Sequence, residues 1–388
     1  MSEFYAHLGL SEWPFTVVPR PEFCTFIADR PRLREDIAFL LSSLSRRDTS
    51  SIHVLWSSLG AGKTHALFYL ANESRRISEG AVPVTLLPIY TEFPKGVSSF
   101  VDLYRGFITR LNQVVIADAF LEVSTNSAGD EFYQELQASS PDLATALRVL
   151  AIDRDVERRA VCVRWLRADR LPVSEFRRVG ISQRLDSTEQ ATTVMAVLVR
   201  LLSGAARLRG HRASRVIWLL DEFQRLDRTS PRAIADVNAG LHSVFNSCPV
   251  GLTQVISFTG PPHERSLPDC FSPELRDRIG TTKVLVLPPL QRDEAVGFVV
   301  DVLGRFRLTD ASVPSAFFPF TEQACRHIIQ YLAGRTELRP RALMHAFNAV
   351  LEVAEAKIQA GTLDVITPSF ADSVLGQYVV LTDAEEEE

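Results

Sequence analysis

Residues 57–64 read SSLGAGKT, and their flanks constrain the fold more than any other stretch of the chain. On the N-terminal side, residues 52–56 (IHVLW) form a short apolar run with a β-branched start. On the other side, residues 65–75 carry apolar positions at helical spacing. A strand turning tightly into a helix must be followed by a crossover, and that order of elements builds a parallel α/β sheet. The loop matches the phosphate-binding pattern G-x-x-x-x-G-K-[ST], except that Ser57 stands where the first glycine is expected. Gly60 and Gly62 let backbone N–H groups, Ala61 among them, curl around a phosphate. Lys63 reaches β and γ phosphates, Thr64 offers a hydroxyl to Mg²⁺, and the helix that includes His65 presents its positive end.

A bare G-K-[ST] tripeptide arises by chance in about one chain in five of this length, so the partner motif decides. Residues 216–222 read VIWLLDE. An apolar run ending in two acids describes a buried strand that delivers Asp221 and Glu222 to the edge of the sheet where ligands bind. Asp221 is the candidate for holding Mg²⁺ through its water shell, and Glu222 for orienting or polarising an attacking water. Together the two motifs point to a nucleotide, with Mg²⁺, as ligand.

The remaining periodicity divides the chain. Residues 1–50 hold an irregular, proline-broken arm and a helix signalled by Asp29 before Pro31, with Ile37, Phe39, Leu40, Leu41 and Leu44 as its apolar face. Residues 82–90 read as a strand and 100–116 as one amphipathic helix. Residues 117–208 are helical without a strand candidate, an insertion into the α/β domain 51–290. Further strands are expected at 252–258 and 283–287. Residues 291–380 form a helical lid with loops near 308–320 and 360–368, and 381–388 an acidic tail.

The chain has 388 residues and a net charge of −5, but Asp383 and 385–388 supply five negatives, leaving the body neutral. Only Lys63, Lys95, Lys283 and Lys357 are lysines against 38 arginines, a bias that suits phosphate recognition and also follows from genomic base composition. Residues 148–184 carry ten arginines against five acids, and Arg207, Arg209, Arg212 and Arg215 follow. Such a surface fits a nucleic-acid backbone. It fits equally a solvated face in which Arg154, Arg158 and Arg159 pair with Asp153, Asp155 and Glu157. Five cysteines without C-x-x-C spacing suggest neither a zinc site nor a disulfide framework. With no basic, then apolar, N-terminal leader and no apolar run approaching the length of a membrane span, the expected setting is the cytoplasm, without membrane contact. Trp56 and Trp218 read as core residues, and His263 and Glu264 as a loop rather than a metal site.

At this point the chain resembles the AAA+ ATPases. The resemblance rests on WPF in the arm, the loop, the DE strand, and the stretch PELRDRI before a strand followed by LPPL and an acidic helix. That stretch is most similar to the branch holding secretion ATPases of the ExeA type and the transposition ATPases TniB and TnsC, with origin-recognition initiators in the same clade. Residues 163–181 are also similar to ATP-binding proteins of BREX-type phage-defence systems. The resemblance implies a three-layer P-loop NTPase fold with a parallel sheet, a helical insertion and a C-terminal helical lid. It further implies a γ-phosphate sensor after the DE strand, Thr259 or Ser257, although the family's usual amide is absent there. An arginine reaching the neighbouring subunit's nucleotide is implied at Arg278, with Arg276 second, and GRTELRPRAL makes Arg341 the second sensor, with Arg339 behind it.

The function implied is an ATPase that assembles with itself as a ring or filament and hydrolyses ATP between subunits. It would thereby regulate a partner, such as a nuclease, transposase or other defence component, on double-stranded DNA in transposition or phage defence. A slow or non-hydrolysing ATP sensor in a defence complex is the alternative. A metabolic kinase fits less well, because a DE strand end, paired arginines and a helical lid serve water attack better than transfer to a small substrate. Secretion stands behind both leading readings, since the chain lacks the membrane span of the ExeA type.

Overall fold

Five strands, β1 Ser51–Ser57, β2 Val84–Glu92, β3 Ala213–Asp221, β4 Leu252–Thr259 and β5 Val284–Val286, pair as a parallel sheet in the order β2-β3-β4-β1-β5. The computed structural model describes residues 5–80, 84–125, 127–211, 213–261, 267–280, 283–309 and 311–377. Arg212, His263, Glu264 and the acidic tail lie outside them. The α/β class with a parallel sheet agrees with the sequence reading. β4 is buried from Leu252 to Phe258, as a strand covered on both faces must be, and so reads as an unbroken run rather than an alternation. In register, Asp221 of β3 lies beside Glu92 of β2, and Leu220 beside Ile256 of β4, which brings Ser257 next to Asp221.

Helices α1 Pro31–Arg46 and α2 Lys63–Ser78 flank β1 in sequence. Seven more separate β2 from β3: α3 Phe100–Arg110, α4 Gln113–Ser124, α5 Ser127–Ser139, α6 Pro141–Ile152, α7 Val156–Leu166, α8 Val173–Arg178 and α9 Thr188–Leu208. The expected single helix over 100–116 is in fact two. The apolar rhythm runs through the break, but Leu111 is extended and the Asn112 side chain accepts a hydrogen bond from the Val114 N–H, starting α4 afresh. On α1, Ile37, Leu40, Leu41 and Leu44 are buried, whereas Phe39 is 79% exposed, which removes it from the expected apolar face. α9 also corrects the expectation that no run approaches membrane-spanning length. It is long and apolar enough to cross a bilayer, yet 72% of its most apolar window is buried within the protein.

Contacts divide the chain into two compact units, one made of Ile37–Trp56 and Leu70–Leu285, the other of Met1–Asp36, Ser57–Tyr69 and Val286–Glu388. The first holds most of the sheet and α3 to α9, with α10 Pro231–Ser247 and α11 Pro273–Ile279. At its centre Trp218 is fully buried, edge-on to Phe107 at 5.5 Å, with its indole N–H donated to the Thr91 hydroxyl at 2.8 Å. Gly240 of α10 is required there, since a Cβ would lie 2.2 Å from the Phe100 ring. Trp56, 3% exposed, is likewise a core residue, edge-on to Phe258.

Several of the arginines in the arginine-rich segments have their own partners. Arg215 is buried and donates to the carbonyls of Arg47 and Thr49 and the Thr253 hydroxyl, while Arg207 and Arg209 pair with Asp48 and Glu122. These three are therefore not an open basic surface. Arg158 pairs with Asp153, but Asp155 caps α7 instead of meeting an arginine.

In the second unit, α12 Arg292–Arg305, α13 Glu322–Ala333, α14 Pro340–Gln359 and α15 Pro368–Leu375 share a core with the N-terminal arm. Phe15 of the arm lies 5.4 Å from Phe347. Trp13 donates to Asn348 at 2.6 Å, and the Ser11 N–H to the Phe306 carbonyl at 2.8 Å. The arm is thus an integral part of the helical unit, where its apolar residues find the burial that its own irregular backbone cannot provide.

Candidate nucleotide site

β1 ends at Ser57 and α2 begins at Lys63, so the five-residue turn between them is tight and two of its residues need φ values that favour glycine: Gly60 at +75° and Gly62 at +96°. Lys63, 6% exposed, donates its ammonium to three loop oxygens, the Ser57 carbonyl at 3.3 Å, the Ser57 hydroxyl at 3.1 Å and the Ser58 carbonyl at 3.1 Å. The departure from the motif has a structural role here. The hydroxyl at the first-glycine position accepts from Lys63 while donating to Ser58.

A second helix start converges on this loop. α14 opens at Pro340; the Arg341 N–H donates to the Gly60 carbonyl at 3.1 Å, and Arg339 donates to the Leu59 carbonyl at 3.2 Å while pairing with Glu337 at 2.7 Å. Both candidate second-sensor arginines therefore lie against the loop. Each helix N-terminus carries the equivalent of about half a positive charge, so two of them beside a lysine and two arginines, one paired with Glu337, favour an anion. Ala61 is buried in the turn, and Thr64 follows Lys63 at the start of α2. His65 is placed otherwise than expected: its ring bonds the Phe26 carbonyl at 2.7 Å and contacts the Cys24 sulfur at 3.4 Å, fastening the arm to α2. Burial holds its imidazole below the ordinary histidine range, hence neutral.

In the sheet unit, Asp221 is 1% exposed. One oxygen accepts from the Ser257 hydroxyl and the Glu222 N–H, the other from the Tyr90 hydroxyl at 3.0 Å. Burial, and then the Asp221 charge, push the Tyr90 phenol well above its usual range, so it remains a donor. Glu222 has φ +62°, a left-handed conformation that costs a non-glycine residue about 1 kcal/mol or more and is characteristic of functional positions. Its carboxylate is 29% exposed, accepts from Gln224 at 3.0 Å and lies 3.4 Å from Arg225. Of the two sensor candidates, Ser257 is bound to Asp221, whereas the Thr259 hydroxyl is buried with no hydrogen-bond partner among the described residues.

The seven-residue α11 is capped by Ser272 and anchored by Leu275 and Ile279. Arg276 on it is held by the Pro268 carbonyl and Asp269, both at 2.9 Å. Arg278 is exposed and makes no hydrogen bond or ion pair through its guanidinium among the described residues. Sequence reasoning missed Tyr90, Gln224 and Arg225. The last two were signalled only by polar residues directly after the DE pair, and Tyr90 only by its place near the end of a neighbouring strand.

No family model matches the chain, and no curated protein matches it in sequence. Solved structures do. The chain is similar to the ORC1 protein of Aeropyrum pernix, solved in complex with DNA, at 14% identity and a TM-score of 0.51, covering 95% of this chain and 70% of that one. It is also similar to the Aeropyrum pernix ORC2 protein, solved as ADPNP-ADP complexes, at 14% identity and a TM-score of 0.47, covering 93% and 72%. At so low an identity the likeness to ORC1 speaks for architecture alone. The fold, a five-stranded parallel α/β sheet with many helices, is the one the chain shares with that ORC1 protein.

Proposed function

We propose that this chain binds ATP with Mg²⁺, hydrolyses it at interfaces between its own copies, and uses the cycle to control a protein partner on DNA. One observation carries the reading: two helix N-termini, Lys63, Arg339 and Arg341 gather on a loop whose glycines allow its N–H groups to turn toward an anion. That much positive potential suits a polyphosphate. Lys63 would exchange its loop oxygens for phosphate oxygens, and Arg341 would approach from α14. From their places in the two motifs, the Thr64 hydroxyl and the Asp221 carboxylate are each the kind of oxygen donor Mg²⁺ takes, an ion that keeps several waters and needs few protein ligands. Because Asp221 already accepts three hydrogen bonds, it would act through the ion's water shell. When bound, Mg²⁺ neutralises charge on the phosphates. Glu222 accepts the proton of the attacking water, Thr259 senses the γ-phosphate with its unpartnered hydroxyl, and Arg278 serves a neighbouring subunit, where such a finger contributes about 10³ to 10⁵ in rate.

DNA contact is supported by Arg154, Arg170, Arg177, Arg178 and Arg184 of the insertion, all exposed and without an ion pair among the described residues. Five free cations would make binding decline steeply with salt. The alternative, an ATP sensor with slow or absent turnover, is supported by the bonds from Gln224 and Arg225 to Glu222.

Turnover of purified chain with and without double-stranded DNA separates the two. Glu222→Gln is expected to keep ATP affinity while turnover falls about 10²-fold or more, and Lys63→Ala to lose both. Full activity in Glu222→Gln would remove Glu222 from its role. Turnover that DNA leaves unchanged, and that stays below about one event per hour, would favour the sensor.

A further inference from the structure

The tip of β4 carries no amide. Its last residues are Ser257, Phe258 and Thr259, and Ser257 is bound to Asp221. An amide nevertheless reaches this place from another element. Gln224 lies in the 3₁₀ turn Phe223–Arg228 that follows β3. Its carbonyl oxygen accepts from the Thr259 N–H at 3.1 Å, and its NH₂ donates to the Glu222 carboxylate at 3.0 Å. The orientation is fixed by chemistry, because a backbone N–H only donates and an ionised carboxylate only accepts. The turn itself is anchored by Phe223, fully buried between Phe93 at 5.5 Å and Phe271 at 4.8 Å. Gln224 is therefore held where it stands, half-buried, with a polar group occupied on each side.

We infer that Gln224 is a positioning residue: it supplies from the turn the amide that β4 lacks, and fixes the Glu222 carboxylate relative to the backbone of Thr259. The inference rests on the reading of Glu222 as proton acceptor. Each end of the amide is engaged with protein. Its effect is to join, by two hydrogen bonds through a single amide, the strand tip that senses the phosphate and the carboxylate that accepts the proton. The bond to Glu222 is charge-assisted and so the stronger of the two, and Arg225, itself bound to the Phe93 carbonyl at 2.7 Å, lies 3.4 Å from the same Glu222 oxygen.

The test compares Gln224→Ala and Gln224→Glu with the full-length protein, measuring ATP turnover against pH, nucleotide affinity and melting temperature. Gln224→Ala is expected to lower kcat about 10- to 100-fold, the usual penalty for misplacing a reacting group by about 1 Å, with KM and nucleotide affinity changed less than about twofold. Gln224→Glu matches the amide in shape. Ionised at pH 8, the introduced carboxylate repels Glu222 and has no proton to donate, so turnover is expected to be no better than in Gln224→Ala. As the pH falls toward 6 it takes up a proton readily, because Glu222 lies beside it and Arg225 offsets only part of that repulsion. A protonated carboxyl accepts from Thr259 and donates to Glu222 as the amide does. Activity relative to wild type is therefore expected to rise as pH falls for Gln224→Glu and to stay level for Gln224→Ala.

A Gln224→Ala protein that turns over like wild type, or parallel pH profiles for the two variants, overturns the inference. Should Gln224→Ala fail to fold, the isosteric variant decides by its profile alone. A wild-type chain without Lys63-dependent turnover overturns the parent reading and this inference with it. Turnover abolished by Glu222→Gln but indifferent to Gln224→Ala removes only the positioning role.

Discussion

Gly60 carries two constraints that Gly96 allows to be separated. Both have positive φ, +75° and +72°, so an alanine at either costs about 1–2 kcal/mol in backbone strain. Only at Gly60 does the added Cβ meet something, the Cβ of Arg341 at 3.0 Å, while nothing lies within 4 Å at Gly96. Gly60→Ala should therefore melt below Gly96→Ala, by the cost of that added contact. ATP affinity, measured by calorimetric titration, should fall about tenfold in the first, equivalent to ~1.4 kcal/mol, and stay unchanged in the second. Equal affinities would mean that the approach of Arg341 to the loop does not matter for nucleotide. The glycines and Lys63 could be read from sequence because the loop is contiguous. Its other determinants could not. Ser57 as a ligand of Lys63, His65 turned to the Phe26 carbonyl, and Gln224 joined to Thr259 all depend on which side chain meets which after the chain has folded.

Among elements, α11 is, at seven residues, too short to hold itself in place. Its position is set from α10. Asn238, 3% exposed, donates to the Cys270 carbonyl at 2.8 Å and accepts from the N–H of Ser272, the α11 cap, at 2.9 Å. Leucine at this site leaves both loop groups buried and unpaired, at about 1–3 kcal/mol each. If Arg278 acts on a neighbouring subunit, Asn238→Leu should lose turnover while keeping nucleotide affinity. Mixing with Glu222→Gln subunits, whose arginine is intact, should restore it; mixing with Arg278→Ala subunits should not. Restoration by both, or by neither, would detach Asn238 from the arginine. Helices of this kind expose the limits of periodicity. The pattern over 100–116 is continuous, but one asparagine side chain ends one helix and starts the next. α9 has the composition of a membrane span because it is a core helix packed on several neighbours.

For the whole molecule, the number and sequence positions of the strands were legible, since a buried strand is a local apolar run. The order β2-β3-β4-β1-β5 and the packing of the arm were not, because both join segments far apart in the chain. The same distance between sequence and contact governs how the protein should respond to acid. His53 on β1 bonds Ser51 at 3.1 Å, and its pKa is lowered to about 4, first by burial and then by the charges of Lys283 and Arg215. Above pH 6.5 the ring is neutral folded or unfolded and pH has no leverage through it. Below that, the unfolded chain binds a proton that the folded chain refuses, so stability falls with pH down to about 4. The full loss is about 3 kcal/mol, of which ~2 kcal/mol is incurred by pH 5. Asp102, whose carboxyl is held below its usual range by hydrogen bonds from Ser98 and Ser99 and by Arg105 against the opposing effect of burial, also loses stability on acidification. Wild type and His53→Gln share that contribution, so it cancels in their difference. Urea unfolding at pH 7 and pH 5 should therefore show the wild type losing about 2 kcal/mol more than His53→Gln. Identical losses would mean that partial burial and the charges of Lys283 and Arg215 do not hold the His53 ring neutral.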